Sequence, residues 1–416
     1  MGLSDELDRD VESIRPPEWG RVVPSRSAVA WQVVDPDGKP VQPIQRFLRD
    51  FVARGNRPGS VRSYAYALQR WWRFVLAINV SWDKVTSAEV RDFVLWLKAV
   101  DKPRRVPRTK SAATAGRINP ITRKQYPSDR YEARTIRHSN AVLRSFYEFW
   151  IEMGQGPLVN PVPRERAKGR RPHAHHNPLD PYRPEGRLRY NPPLAKRRPR
   201  AMPDQRWIEL FAALRYNRDR AILALAISTA ARASELLGLR GADLDWGDQL
   251  IRVRRKGTRA EQWLPASPDA FVWLRLYLAE IGEVGADEPV WQTLRRRRRD
   301  TSGLRRHPLD YAALRAVLRR VNAALSTNWT MHDLRHTCAL RMIRDKRLSL
   351  RDVQVILGHA HVTTTQIYLE DDDYEVIKRV RGYLADRDTS RPTAPEPVAA
   401  GYDANDLTVL FGETPR

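Results

Sequence analysis

Residues 331–337 read Met331-His332-Asp333-Leu334-Arg335-His336-Thr337. On a helix, His332 and Arg335 stand at i and i+3, so an imidazole and a guanidinium can converge on one anion. The chain has nine histidines among many arginines, and this is its only His-x-x-Arg. Chance alone would supply about one such pair. A salt-bridged surface pair would account for it equally well, so its surroundings decide. Twenty-four residues after Arg335 comes His359, in Leu357-Gly358-His359. Nine further on is Tyr368, after Thr363-Thr364-Thr365. Upstream, residues 229–237 read TAARASELL, and Lys256-Gly257 lies between the two segments. The polar order is therefore Arg232, Lys256, His332, Arg335, His359, Tyr368.

Working outward, residues 218–229 predict a buried helix through Ile222, Leu223, Leu225, Ala226 and Ile227. Ile251 and Val253 alternate with Arg252 and Arg254, which is strand periodicity over 250–254. Lys256-Gly257 then reads as a turn, with 262–265 as the return strand. Further helices are expected at about 268–282, 311–326, 331–346, 350–357 and 373–386. The acidic run 370–373 reads as a helix N-terminus rather than a metal site.

The N-terminal half has its own helical pattern. Ile44, Phe47, Leu48 and Phe51 share a face. A second helix is expected at about 60–78 and a fourth at about 134–153. The third begins at Thr86, which forms a capping box with Glu89. Trp71 and Trp72 read as core rather than as base-stacking groups. Residues 1–42 show no clear period and read as an extended arm. Residues 161–204 hold ten prolines, and twelve basic against four acidic residues give +8. Such a stretch reads as an extended basic linker. Its His173, His175 and His176 make a weak metal motif and read better as a solvated loop. The expected organisation is an arm (1–42), a helical domain (43–155), a linker (156–201), a second domain (202–386) and a tail (387–416).

Composition narrows the partners. The chain has 416 residues, 73 basic against 49 acidic, for a formal charge of +24. Eleven of the 73 are lysine, so 62 are arginine, the fork-shaped donor suited to phosphate. Nucleic acid is the first partner to expect. No apolar run is long enough to span a membrane, and residues 1–13 carry no signal-peptide pattern. Cys338 is the only cysteine, which excludes disulfides and cysteine zinc sites. A cytoplasmic protein is expected.

In AARASELLGLR, RRKGT, MHDLRHT, ILGH and TTTQIY, residues 202–386 resemble the catalytic domain of the tyrosine recombinases, the phage-integrase family. The preceding helical domain is similar to that family's core-type DNA-binding domain. The implied fold is mainly α: a helical, SAM-like core-binding domain, then a mixed α/β catalytic domain with a small sheet. The implied reaction is site-specific DNA breaking and rejoining through a 3′-phosphotyrosyl intermediate, with neither metal nor cofactor nor ATP. The implied partners are specific sites on double-stranded DNA, three further protomers in a tetramer on two duplexes, and accessory directionality or host factors. The setting implied is DNA integration by a mobile element, with a phage, an integrative element, a transposon and a chromosomal role all compatible with the sequence. Two positions depart from the family pattern. Ala231 precedes the first arginine where glycine is common, and Arg341 stands where histidine is often found.

The residue types suit that chemistry. Arg232 and Arg335 can each fork onto non-bridging phosphate oxygens, and His359 can add a donor. Tyr368 is the nucleophile, and a phenol with a free pKa near 10 needs activation. The arginines favour its phenolate, and His332 can take its proton. Lys256, at a hairpin tip, can protonate the departing 5′-oxygen. Glu235, one turn after Arg232, can orient an arginine. A type IB topoisomerase is the rival within enzymes, and the closely spaced LGH and Tyr368 disfavour it. A protein that only binds DNA has no use for Tyr368. A metal-dependent nuclease would want carboxylates beside the arginines.

Overall fold

The computed structural model describes residues 9–103, 112–165, 187–195, 199–255, 258–296 and 305–359, together with 364, 365, 368, 380–382 and 384. The chain divides into two units between Lys196 and Arg197.

The first unit is built on four helices, α1 (Gln42–Ala53), α2 (Pro58–Ala77), α3 (Ser87–Ala99) and α4 (Ala133–Glu152). α2 begins with Pro58 and α1 carries Pro43 as its second residue, and a missing N–H costs nothing in a first turn. α3 has the expected capping box: the Thr86 amide donates to Glu89 at 2.8 Å. The apolar faces meet in one core, with Ile44, Phe47, Leu68, Trp71, Phe93 and Phe146 fully buried. Trp71 spends its indole N–H on the Tyr147 hydroxyl at 2.8 Å, and that hydroxyl donates to the Trp82 carbonyl at 3.0 Å. Trp71 and Trp72 are therefore core residues.

Two segments differ from the expectation. The arm is not simply extended: β1 (Arg21–Pro24) and β2 (Trp31–Val34) pair antiparallel, and Val29 and Val33 enter the helical core. Arg73 and Gln69 of α2 hold the approach to β1, donating to the carbonyls of Trp19 and Gly20 at 2.6–2.8 Å. Where described, the proline-rich stretch is docked rather than free. Val162 is buried, and Leu188 and Tyr190 pack on the core. Asn140 reaches the Tyr190 carbonyl at 3.3 Å and Asn191 at 3.0 Å. Proline removes helix hydrogen bonds, yet an extended strip can still be held by side-chain donors from α4. The histidines at 173, 175 and 176 lie outside the described residues.

The second unit starts with α5 (Asp204–Ala212) and α6 (Asn217–Thr229), followed by the short α7 (Ala233–Leu236). α6 is buried almost all round, as its apolar sequence requires. Next come β3 (Leu244–Asp245), β4 (Leu250–Arg254) and β5 (Glu261–Pro265), an antiparallel sheet in that order. Ile251 pairs with Leu264 and Val253 with Gln262. Helices α8 (Pro268–Ile281), α9 (Tyr311–Ala324), α10 (Met331–Arg344) and α11 (Leu350–Leu357) complete the described elements. Capping boxes fix the starts of α10, by Thr330 and Asp333, and of α11, by Ser349 and Asp352. Of the expected helix at 373–386, residues 380–382 and 384 are described and helical.

Candidate active site

The site grows from the end of α6. The Thr229 hydroxyl donates back to the Leu225 carbonyl at 2.6 Å and accepts from the Ala231 amide at 3.2 Å. Ala230 then takes left-handed backbone, φ 54° and ψ 18°. This sharp exit leaves the Ala230 carbonyl as an acceptor for Nη1 of Arg335 on α10. Nη2 of the same guanidinium donates to the Leu357 carbonyl at 2.7 Å and lies 3.2 Å from Nε2 of His359. One buried arginine thus ties the end of α6 to the end of α11. Burial pushes its pKa down to about 10, with Arg232 adding repulsion and Glu235 opposing it. It remains cationic at neutral pH.

Arg232 lies in the turn between α6 and α7, at the edge of the same cluster. Its Nη1 donates to Oε1 of Glu235 at 2.9 Å, and its amide donates to Oε2 at 2.9 Å. Glu235 does more than orient one arginine. Its Oε2 also accepts from Nη1 of Arg255 at 3.1 Å. Arg255 is buried at the end of β4, with Nε on the Gln262 amide oxygen at 2.8 Å and Nη2 on the Ile356 carbonyl. Burial lowers its pKa, and Glu235 holds it up. These four side chains sum to three positive charges against one negative. An oxyanion entering beside Arg232, the most exposed of the three arginines, meets a cationic wall.

His359 follows Gly358, whose left-handed backbone ends α11. The amides of Gly358 and His359 return to the carbonyls of Val355 and Gln354, at 2.9 and 3.2 Å, which closes the last turn. The ring bridges Arg335 through Nε2 and the buried Thr365 hydroxyl through Nδ1, at 3.0 Å. Burial, then the charges of Arg335, Arg232 and Arg255, push its pKa down to about 4. Neutral His359 accepts at Nε2, because a guanidinium offers only N–H donors, so its proton sits on Nδ1 and points to Thr365.

Tyr368 is 6% exposed, in an apolar nest of Ala230, Cys338, Ala339, Val353 and Leu357. Burial raises its pKa, and the charges of Arg335 and Arg232 work against that rise. Its hydroxyl lies 2.7 Å from Nδ1 of His336. The expectation gave the phenol proton to His332, but the imidazole in hydrogen-bond reach is its neighbour one turn on. The His332 ring stands edge-on to that of His336, centroids 4.2 Å apart.

The structure therefore brings Arg232, Glu235, Arg335, His359 and Tyr368 into one cluster, with His332 at its rim on α10. Lys256 lies outside the described residues, as does Tyr374. Among the described residues no group of three or more His, Cys, Asp or Glu side chains is placed to hold a metal ion. Arg255 and His336 were missed from sequence, although both had a signal. Arg255 continues the inward series Ile251, Val253 by one more period of two. His336 is i+4 from His332 and so shares its face.

Residues 203–375 match the family model described as the phage integrase family. Transposase A from transposon Tn554 of Staphylococcus aureus is 23% identical over 355 residues, 82% of this chain and 91% of that protein. Tyrosine recombinase XerC of Thermodesulfovibrio yellowstonii is 37% identical over 162 residues, 37% of this chain and half of that protein. Among solved structures, a lambda integrase tetramer bound to a Holliday junction aligns with a TM-score of 0.50 at 15% identity, over 80% of this chain and 78% of that one. This last likeness bears on the fold.

Proposed function

We propose that this chain, which belongs to the phage-integrase family of tyrosine recombinases, cuts and rejoins duplex DNA by passing the strand through Tyr368. The phenol oxygen attacks the scissile phosphorus, the bond from phosphorus to the 5′-oxygen breaks, and a 3′-phosphotyrosyl ester holds the strand. The ester keeps the energy of the broken bond, so a 5′-hydroxyl can reseal it without ATP. Arg232 and Arg335 stabilise the pentacoordinate phosphorus, where charge accumulates on the non-bridging oxygens. His359 is neutral without DNA. The scissile phosphodiester brings one negative charge beside it and the pentacoordinate phosphorus gathers a second, which favours protonation and turns Nε2 from an acceptor into a donor. Lys256 gives its proton to the departing 5′-oxygen.

The observation that carries this reading is the position of Tyr368. A buried tyrosine whose hydroxyl lies 2.7 Å from an imidazole, with two site arginines working against the burial that raises its pKa, suits a nucleophile. The partners proposed are specific sites on double-stranded DNA, three further protomers in a tetramer on two duplexes, and accessory or host factors that set direction. Lambda integrase, seen as a tetramer on a Holliday junction, supplies the precedent. The likeness to Transposase A of a transposon favours mobile-element DNA as the setting. A cytoplasmic location is part of the same proposal. Among the described residues no helix is long and apolar enough to cross a membrane.

The test is a nicked suicide duplex carrying the chain's own recombination site. The wild type should accumulate a covalent protein–DNA adduct, and Tyr368→Phe should bind the duplex without forming one. An adduct of undiminished yield in Tyr368→Phe would move the nucleophile elsewhere.

A further inference from the structure

We propose that His336, not His332, takes the proton from Tyr368 during strand cleavage and returns it during ligation. This rests on the recombinase reading of the site.

Three observations converge. The first is distance. Nδ1 of His336 is 2.7 Å from the Tyr368 hydroxyl, within the range for direct proton transfer. The second is the environment of the phenol. Tyr368 is buried and its pKa is raised, so it arrives with its proton on and needs an acceptor at hand. The other polar groups of the cluster are poor acceptors, since both oxygens of Glu235 are committed to Arg232 and Arg255. Arg232 and Arg335 are cations with no lone pair, and Nε2 of His359 is already engaged with Arg335. The third is the support of the ring. His336 lies on α10 directly after Arg335, the most buried of the site arginines, so its backbone is fixed by the anchor that fixes the phosphate site. His332 stands edge-on against it, and with the two rings in contact His332 becomes a positioning residue for His336.

The step balances. As the bond from the Tyr368 oxygen to phosphorus forms, the phenolic O–H gives its proton to Nδ1 and the imidazole becomes imidazolium. The 5′-oxygen leaves with a proton from a separate acid. On resealing, the imidazolium returns its proton to the departing phenolate oxygen. Cleavage and ligation thus restore His336 without a co-reactant.

The experiment compares proton transfer with simple anchoring. In His336→Asn the amide oxygen stands where Nδ1 stood and can accept the phenol hydrogen bond, but it cannot carry the proton away at neutral pH. Single-turnover adduct formation on the suicide duplex and DNA affinity are measured for the wild type, His336→Asn and His336→Gln. Adduct formation should fall by about 10²–10⁴-fold in both variants with DNA affinity unchanged. A duplex with sulfur at the 5′-bridging position should not rescue either, because the missing group acts on the nucleophile and not on the leaving group. Adduct formation within about threefold of wild type in His336→Asn would reduce His336 to an anchor and overturn the proposal. Rescue by the bridging sulfur would overturn it too, by placing His336 on the leaving-group side. A wild type that forms no adduct fails the recombinase reading instead, so the two failures are distinct.

Discussion

Gly358 lies against the guanidinium of Arg255: a β-carbon there would come within 2.8 Å of Nε and 3.0 Å of Cδ. A free arginine would swing aside. This one is held by Glu235, Gln262 and the Ile356 carbonyl, so it has no cheap retreat. Gly358 also has φ +60°, a region unfavourable to side chains. Gly358→Ala should therefore cost about 2–4 kcal/mol in urea unfolding, from backbone strain and overpacking together. In the double variant with Arg255→Ala, the cost of Gly358→Ala should shrink to the backbone part alone. Strict additivity of the two single variants would show that the contact is not felt.

Glu235 holds two guanidinium groups, one of them almost sealed from water. Its own side chain is 1% exposed and that of Arg255 is 4% exposed. Glu235→Gln keeps the shape and removes the charge, so the buried Arg255 loses its counter-ion. Breaking such a pair from one side costs about 3–5 kcal/mol. Unfolding measured at neutral pH should show a loss of that order. A change below about 0.5 kcal/mol, as for an ordinary surface substitution, would mean that water reaches Arg255 in solution.

The depressed pKa of His359 predicts how stability depends on pH. Folded, the ring titrates near 4, because burial and three neighbouring arginines disfavour its charge. Unfolded, it titrates near the ordinary histidine value of about 6.5. Between those two values the unfolded chain binds a proton that the folded chain refuses. Stability is therefore lost as pH falls from about 6.5 towards 4, and this contribution is fully present above that window. Carboxylates also titrate there, so the measurement is a difference: melting temperature against pH for wild type and His359→Gln. The wild type should fall more steeply over the window. Parallel curves would show that His359 is freely protonated in the fold.

Much of this was legible beforehand because it depends on local pattern. The helices at 44–51 and 218–229 follow from apolar periodicity, and the start of α3 from one Thr/Glu pair. The site residues could be ordered because their motifs are short and their spacing fixed. What escaped is tertiary. No periodicity shows that the docked strip at 187–192 would find donors on α4, since Asn140 and Arg137 lie about 50 residues away in sequence. A charged residue after an alternating strand reads as surface even where, as at Arg255, its position falls on the inward face. Arg255 is buried because Glu235, twenty residues earlier, receives it. His336 shares a helix face with His332 by its i+4 spacing, but spacing alone does not show which imidazole reaches Tyr368.

The left-handed turn at the end of α6 sharpens one further sequence expectation. Ala231 was expected to replace a glycine, but the residue with positive φ is Ala230, at 54°. Glycine at 230 relieves about 1–2 kcal/mol of left-handed strain. Against that stand about 0.5–1 kcal/mol of extra freedom in the unfolded chain and about 0.8 kcal/mol for a lost buried methyl group. These terms nearly cancel, so Ala230→Gly should leave unfolding within about 1 kcal/mol of wild type. Ala231 is 2% exposed and is not among the residues with positive φ, so glycine there brings the losses without the relief. Ala231→Gly should be the more harmful of the two, by about 1–2 kcal/mol. Ala230→Val puts a β-branched side chain into a conformation it resists, and it moves the carbonyl that receives Arg335. It should lose stability and adduct formation together. If Ala231→Gly proves the milder glycine variant, the strained position in solution is 231 and the carbonyl facing Arg335 is not held as described.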